Sequence, residues 1–203
     1  MKIKGYYFIT DTDLSMAGNI SDVKAAVKAG VTVVQYRNKQ GETLNLYQET
    51  LALKKICAGK SLFIANDRID IALAVEADGV HLGQMDMPYK AARKLLGKKK
   101  IIGVTVHNVK EAIAAQKMGA DYLGVSPIFS TTTKLDAGKA GGIELLKKIK
   151  AEVKIPLVAI GGITLENASQ VIEAGADSIC AISAVITKPD VIGEINKFQR
   201  LFK

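Results

Sequence analysis

Eight short apolar runs, each of strand length, alternate with stretches of helical spacing, and this alternation limits the fold more than any other feature. The runs lie at Tyr6–Thr10, Thr32–Tyr36, Leu62–Ala65, Gly79–Leu82, Ile101–Val104, Tyr122–Val125, Leu157–Ile160 and Ser178–Ile182. Between them, apolar residues recur every three or four positions, as in Tyr89, Ala92, Leu95 and Leu96, or Ile192, Ile195, Phe198 and Phe202. Each such segment keeps one apolar face. A strand that is apolar throughout needs cover on both sides, the condition of a parallel sheet wrapped in helices, and the absence of a hairpin signal agrees with it.

A weak internal repeat counts the units. Ala29-Gly30-Val31-Thr32, Glu76-Ala77-Asp78-Gly79, Gly119-Ala120-Asp121-Tyr122 and Gly175-Ala176-Asp177-Ser178 each end a helical segment with small residues and turn into a strand. Each interval holds two strand–helix units, so the repeat marks strands 2, 4, 6 and 8. Eight strands in regular alternation predict a closed (β/α)8 TIM barrel, a single α/β domain over residues 1–203, near the short end of the range for that fold. An open doubly wound sheet is the alternative. It calls for a glycine-rich phosphate turn after the first strand, where this chain has Thr10-Asp11-Thr12-Asp13.

Composition narrows the function classes. The net charge is +8, from 28 Lys and Arg against 20 Asp and Glu. Runs such as Lys98-Lys99-Lys100 read as solvated helix ends, and no aromatic residues interleave with them to stack on bases, so no nucleic-acid partner is expected. Cys57 and Cys180 sit in apolar surroundings without a partner motif and read as buried thiols of a reducing compartment. The first residues enter a strand-like run with no signal-peptide core, and no apolar stretch is long enough to span a bilayer. The expected location is the cytoplasm, with no membrane partner. A homo-oligomer stays open.

In such a barrel the chemistry belongs at the carboxy-terminal ends of the strands. Strand 2 runs into Gln35-Tyr36-Arg37-Asn38-Lys39, where the period of two sends Gln35, Arg37 and Lys39 to one side. Strand 3 ends at Asn66-Asp67-Arg68, strand 4 at His81 with Gln84 and Asp86 beyond, and strand 5 at Thr105 and His107. A hydroxyl-rich loop, Ser130-Thr131-Thr132-Thr133-Lys134, follows strand 6, while Gly161-Gly162 and Ile182-Ser183-Ala184 follow strands 7 and 8. Two carboxylates, Asp67 and Asp86, among the cations Arg37, Lys39 and Lys134 suit a diphosphate held with Mg²⁺, a cation usually bound by one or two carboxylates plus water and phosphate oxygens. Glycine amides after strand 7 and the turn after strand 8 suit a second phosphate.

Each piece alone also has a plainer reading. Asn66-Asp67-Arg68 is a good turn sequence, Gly161-Gly162 suits close backbone packing, and His81 and His107 read as structural histidines. Asp121 and Asp177, at the opposite strand ends, read as turn and cap residues.

Together, these motifs resemble the thiamine phosphate synthase family. The similarity rests on Gln35-Tyr36-Arg37-Asn38-Lys39, Asn66-Asp67-Arg68, Asp78-Gly79-Val80-His81-Leu82-Gly83-Gln84 with Asp86, the Thr131–Lys134 loop, Ala159-Ile160-Gly161-Gly162-Ile163 and Ile182-Ser183-Ala184, in chain order. The resemblance implies a transferase in which hydroxymethylpyrimidine diphosphate loses pyrophosphate and a thiazole phosphate takes its methylene carbon. It implies a pyrimidine diphosphate site of Gln35, Tyr36, Arg37, Asn38, Lys39, Asn66, Thr105 and Lys134, with Arg37, Lys39 and Lys134 as the catalytic cations. It further implies Mg²⁺ on Asp67 and Asp86, and a thiazole phosphate site of Thr131, Thr132, Thr133, Gly162, Ile182 and Ser183. Thr105 stands where the family often has Ser, which keeps the hydroxyl. A related barrel, the thiazole tautomerase, is the nearest competitor, but it needs no metal–diphosphate site, and Pro127 stands where its His is expected. A non-catalytic anion or nucleic-acid binder driven by the net charge is the alternative of a different class.

Overall fold

A computed structural model of the chain describes residues 3–131, 133 and 138–202. Eight strands form it: β1 (Gly5–Ile9), β2 (Val33–Tyr36), β3 (Leu62–Asn66), β4 (Gly79–Leu82), β5 (Ile101–Val106), β6 (Tyr122–Val125), β7 (Leu157–Ile160) and β8 (Ser178–Cys180). Every strand pairs in parallel with the next, and β8 returns to β1, closing the barrel. The doubly wound alternative is therefore excluded. The helices α1 (Asn19–Lys28), α2 (Thr43–Cys57), α3 (Ile69–Ala74), α4 (Tyr89–Leu96), α5 (Val109–Met118), α6 (Gly142–Glu152) and α7 (Leu165–Glu173) alternate with the strands. The short α8 (Ile182–Ile186) and α9 (Val191–Arg200) follow β8. The apolar run at Ser178–Ile182 overshoots the eighth strand, because Ile182 already begins α8.

The period of two divides the apolar residues into two cores. Tyr6, Phe8, Val34, Phe63, Val80 and Ile102 point outward and pack beneath the helices. Tyr7, Ile9, Val33, Ile64, Tyr122 and Val158 point inward and fill the barrel. This double burial is why the strands read as continuous apolar runs.

The repeated aspartates clasp the amino-terminal end of the barrel. Asp78 Oδ2 accepts the Phe63 backbone N–H at 2.8 Å and pairs with Lys54 of α2 at 2.7 Å. Asp121 does the same with the Ile102 N–H and Arg93, and Asp177 with the Leu157 N–H and Lys150. One carboxylate thus satisfies an amide at the start of a strand and anchors the helix that precedes that strand. Asp78→Ala strands one amide donor and one lysine, and is expected to cost about 1–2 kcal/mol. Thermal unfolding should show a lower Tm, with turnover per folded molecule unchanged.

Candidate active site

The carboxy-terminal mouth of the barrel opens into a cleft of about 1010 Å³, the solvent at its entrance included, in the place where barrels of this kind bind small molecules. Gln35, Arg37 and Lys39 enter it from the end of β2, and Asn66 and Asp67 from the end of β3. Asp86 and Thr105 enter from the β4 loop and from β5. On the other wall stand Thr131, Thr133, Gly162, Ile182 and Ser183. Thr132 and Lys134 lie outside the described residues.

Tyr36 and Asn38 do not reach this cleft. They occupy the opposite phase of β2, facing the helix layer, where Tyr36 Oη donates to Glu49 at 2.5 Å and Asn38 Oδ1 accepts the Gln40 N–H at 3.1 Å. The period of two that turns Gln35, Arg37 and Lys39 inward turns these two away. Arg68 likewise turns outward to Asp70 and Thr43.

Arg37 is held from behind. Its Nη1 lies 2.9 Å from Oδ2 of the buried Asp11, and its backbone N–H donates to Thr10 Oγ1 at 2.9 Å. Asp11 belongs to the run that failed as a glycine-rich turn. Its role was hidden because it acts on a residue 26 positions away.

Asp67 sits in the left-handed region, φ 61°, which Asp tolerates better than most residues. Burial, followed by the hydrogen bond and repulsion from Asp86, pushes its carboxyl from 3.8 up to about 6 against the opposing pull of Lys39. Lys39 Nζ lies 3.3 Å away, and Asp86 is fixed by the Gly83 N–H at 2.6 Å. Two carboxylates that repel each other across a cleft form an all-oxygen donor set suited to a hard cation, one completed by water and ligand oxygens. Among the described residues no group of three or more His, Cys, Asp or Glu forms a cage of the structural-zinc kind.

Below these charges lies a polar floor that strand patterns alone did not reveal. Gln35 Nε2 donates to Tyr7 Oη at 2.9 Å, and Tyr7 Oη lies 2.7 Å from Tyr122 Oη. His81 bridges Tyr122 Oη at 2.9 Å (Nδ1) and Thr105 Oγ1 at 2.8 Å (Nε2). Burial pushes both phenols well above their ordinary range, so both keep their protons. Two glycines make the room. Gly103 pairs with His81 on one side and Tyr122 on the other, and a Cβ there would meet Tyr122 Cζ at 2.0 Å. A Cβ on Gly124 would meet His81 Cε1 at 3.0 Å. Gly103→Ala must displace a fully buried ring and is expected to cost about 1–3 kcal/mol or more, read as a lower denaturation midpoint with a loosened near-UV tyrosine signal.

The glycines after β7 serve a packing role as well. Gly161 and Gly162 have φ 104° and 62°, and a Cβ on Gly162 would lie 2.5 Å from the Ser130 carbonyl oxygen. The Ile128 and Phe129 N–H groups donate to Ile160 and Gly161. The turn thereby fixes the start of the threonine loop.

A closed parallel barrel with cations, paired carboxylates and close glycine turns at its carboxy-terminal mouth is a TIM-barrel enzyme. Sequence comparison then specifies which kind. The model of the thiamine monophosphate synthase family matches residues 6–185. The chain is 52% identical to the thiamine-phosphate synthase of Methanosarcina barkeri over 193 residues, covering 95% of this chain and 88% of that one. It is 53% identical to that of Methanosarcina mazei, covering 95% and 80%. The solved thiamine phosphate pyrophosphorylase from Pyrococcus furiosus superposes with a TM-score of 0.91 at 39% identity, covering 99% and 96% of the two chains. The chain belongs to the thiamine monophosphate synthase family and is a transferase. No helix among its described residues is long and apolar enough to cross a membrane.

Proposed function

We propose that the cleft couples 4-amino-2-methyl-5-(diphosphooxymethyl)pyrimidine to a thiazole phosphate, giving thiamine phosphate and pyrophosphate. The observation that carries this reading is the meeting, over one polar floor, of Arg37 and Lys39 with the Asp67–Asp86 pair. In the reaction the methylene C–O bond breaks with its electrons leaving on pyrophosphate, and the thiazole ring nitrogen supplies the pair for the new C–N bond. The aminopyrimidine ring is electron-rich and stabilises the methylene cation, so the protein chiefly neutralises the leaving group and aligns the nucleophile.

Asp67 and Asp86 are the proposed Mg²⁺ ligands, and a bound Mg²⁺ supplies positive charge to the departing diphosphate. Arg37 offers its planar fork, with one edge already fixed by Asp11, and Lys39 offers a point charge. Lys134 is proposed as the third cation. Gln35, Asn66 and Thr105 hold the ring, while Thr131, Thr133, Gly162, Ile182 and Ser183 hold the thiazole phosphate on the facing wall. No general base is required, since the attacking nitrogen carries a free pair.

The test is to incubate purified protein with both substrates, with and without Mg²⁺, and to assay thiamine phosphate and pyrophosphate. Product only with Mg²⁺ supports the reading. Absence of product from folded protein with both substrates and Mg²⁺ overturns it.

A further inference from the structure

We propose that Tyr122 is a positioning residue that, with Tyr7 and His81, forms a one-directional hydrogen-bond chain making Thr105 a donor and Gln35 an acceptor toward the bound ring. This inference rests on the reading of the cleft as an aminopyrimidine site.

The direction follows from the end of the chain. An amide nitrogen only donates, so Tyr7 Oη accepts from Gln35 Nε2 and its own proton passes to Tyr122 Oη. Tyr122 then gives its proton to His81 Nδ1, which places the ring proton on Nε2. Nε2–H donates to Thr105 Oγ1, and the threonine hydroxyl hydrogen is left for the cleft. Reversing a single link leaves a buried phenol proton without an acceptor, so the links run the same way together. At the other end, the amide that spends its nitrogen on Tyr7 offers its carbonyl oxygen.

The chain thus distinguishes ligands of nearly equal shape. An aminopyrimidine edge carries an acceptor ring nitrogen beside a donor amino group, complementary to a Thr105 donor and a Gln35 acceptor. The corresponding oxo ring presents the reverse pair, N–H and C=O. A site built to satisfy one pattern leaves buried groups unpaired with the other. The absence of side chains at Gly103 and Gly124 is what brings Tyr122, His81 and Thr105 within reach of one another.

The chain contains two histidines, His81 and His107, so ¹⁵N-histidine spectra of substrate-free protein, assigned with His107→Gln, report the His81 tautomer directly. The expected result is a protonated Nε2 and an unprotonated Nδ1. In Tyr122→Phe the single tautomer should be lost, and discrimination against the oxo analogue, as its inhibition constant relative to kcat/KM for the amino substrate, should fall by about tenfold. Tyr7→Phe, which removes the upstream donor, should shift both readouts the same way by less, and it decides the matter if Tyr122→Phe does not fold. A protonated Nδ1 in the native protein, or unchanged tautomer and discrimination in a folded variant, overturns the proposal. Because the spectrum needs no turnover, a protein that fails to couple the two substrates would overturn the functional reading and still leave the chain's direction decided.

Discussion

Asp67→Asn is expected to lower turnover by at least about 100-fold, equivalent to about 3 kcal/mol of lost charge stabilisation, and at the same time to raise the Tm of the metal-free protein. The two effects have one cause. Burial in the cleft, and then the closeness of Asp86, push the Asp67 carboxyl up from 3.8 to about 6. The folded state therefore binds this proton more tightly than the unfolded chain. Its stabilising contribution is full below about pH 4 and is lost as the pH rises through about 6. Asparagine tolerates the positive φ of this position as well as aspartate does and removes the repulsion. Unfolding followed from pH 4 to 7 in chelator should slope downward for the native protein and stay flatter for the variant. A variant that unfolds more easily at pH 7 would instead give Asp67 a structural role.

Arg37→Lys should cost about 100-fold in kcat/KM for the diphosphate substrate, although the charge is unchanged. Arg37 spends one nitrogen on Asp11 at 2.9 Å and keeps the rest of its planar fork for the cleft, and lysine cannot divide its ammonium between two such directions. Asp11→Asn should cost less, about tenfold, by letting the guanidinium swing. The double variant should fall well short of the product of the two, because both changes disturb one device. Steady-state kinetics on the three variants check this, and independent, multiplicative losses would separate Asp11 from the function of Arg37.

The barrel was legible because double burial prints apolar runs into the sequence, and all eight runs became strands with shifts of a residue or two at their ends. The rim was legible where the strand period alone decides direction, as for Gln35, Arg37 and Lys39. The same period correctly applied separates Tyr36 and Asn38 from them, whereas the family motif takes the five residues as a block. Tyr7 and Tyr122 were hidden because a tyrosine inside an apolar strand looks like core, and their partners come from other strands. His81 read as structural for the same reason, since its position between Tyr122 and Thr105 depends on glycines of the next two strands, Gly103 of β5 and Gly124 of β6. Asp121 and Asp177 read correctly as residues of the opposite end, but their joint hold on a strand amide and a helix cation needed the register of neighbouring strands.

The aspartate clasps do not continue around the whole ring. At the fourth position of the repeat stands Thr32, whose hydroxyl donates to the Lys4 carbonyl oxygen at 2.9 Å without gripping a helix cation. On the other side of β1 lies the β8–β1 seam, the shortest register of the ring, with Gly5 opposite Ser178 and Tyr6 opposite Ile179. Tyr6 Oη crosses this seam to the Ala181 carbonyl at 3.0 Å, and α9 packs over it, its Phe198 stacking on Tyr6 at 5.4 Å and its Gln199 reaching the Ala29 carbonyl. The barrel is therefore a strap with a buckle, and the buckle is the last helix of the chain. Amide exchange should find the β1 and β8 protons released first, before those of β3 to β6, and undocking α9 should open the ring into a twisted ribbon rather than melt it evenly.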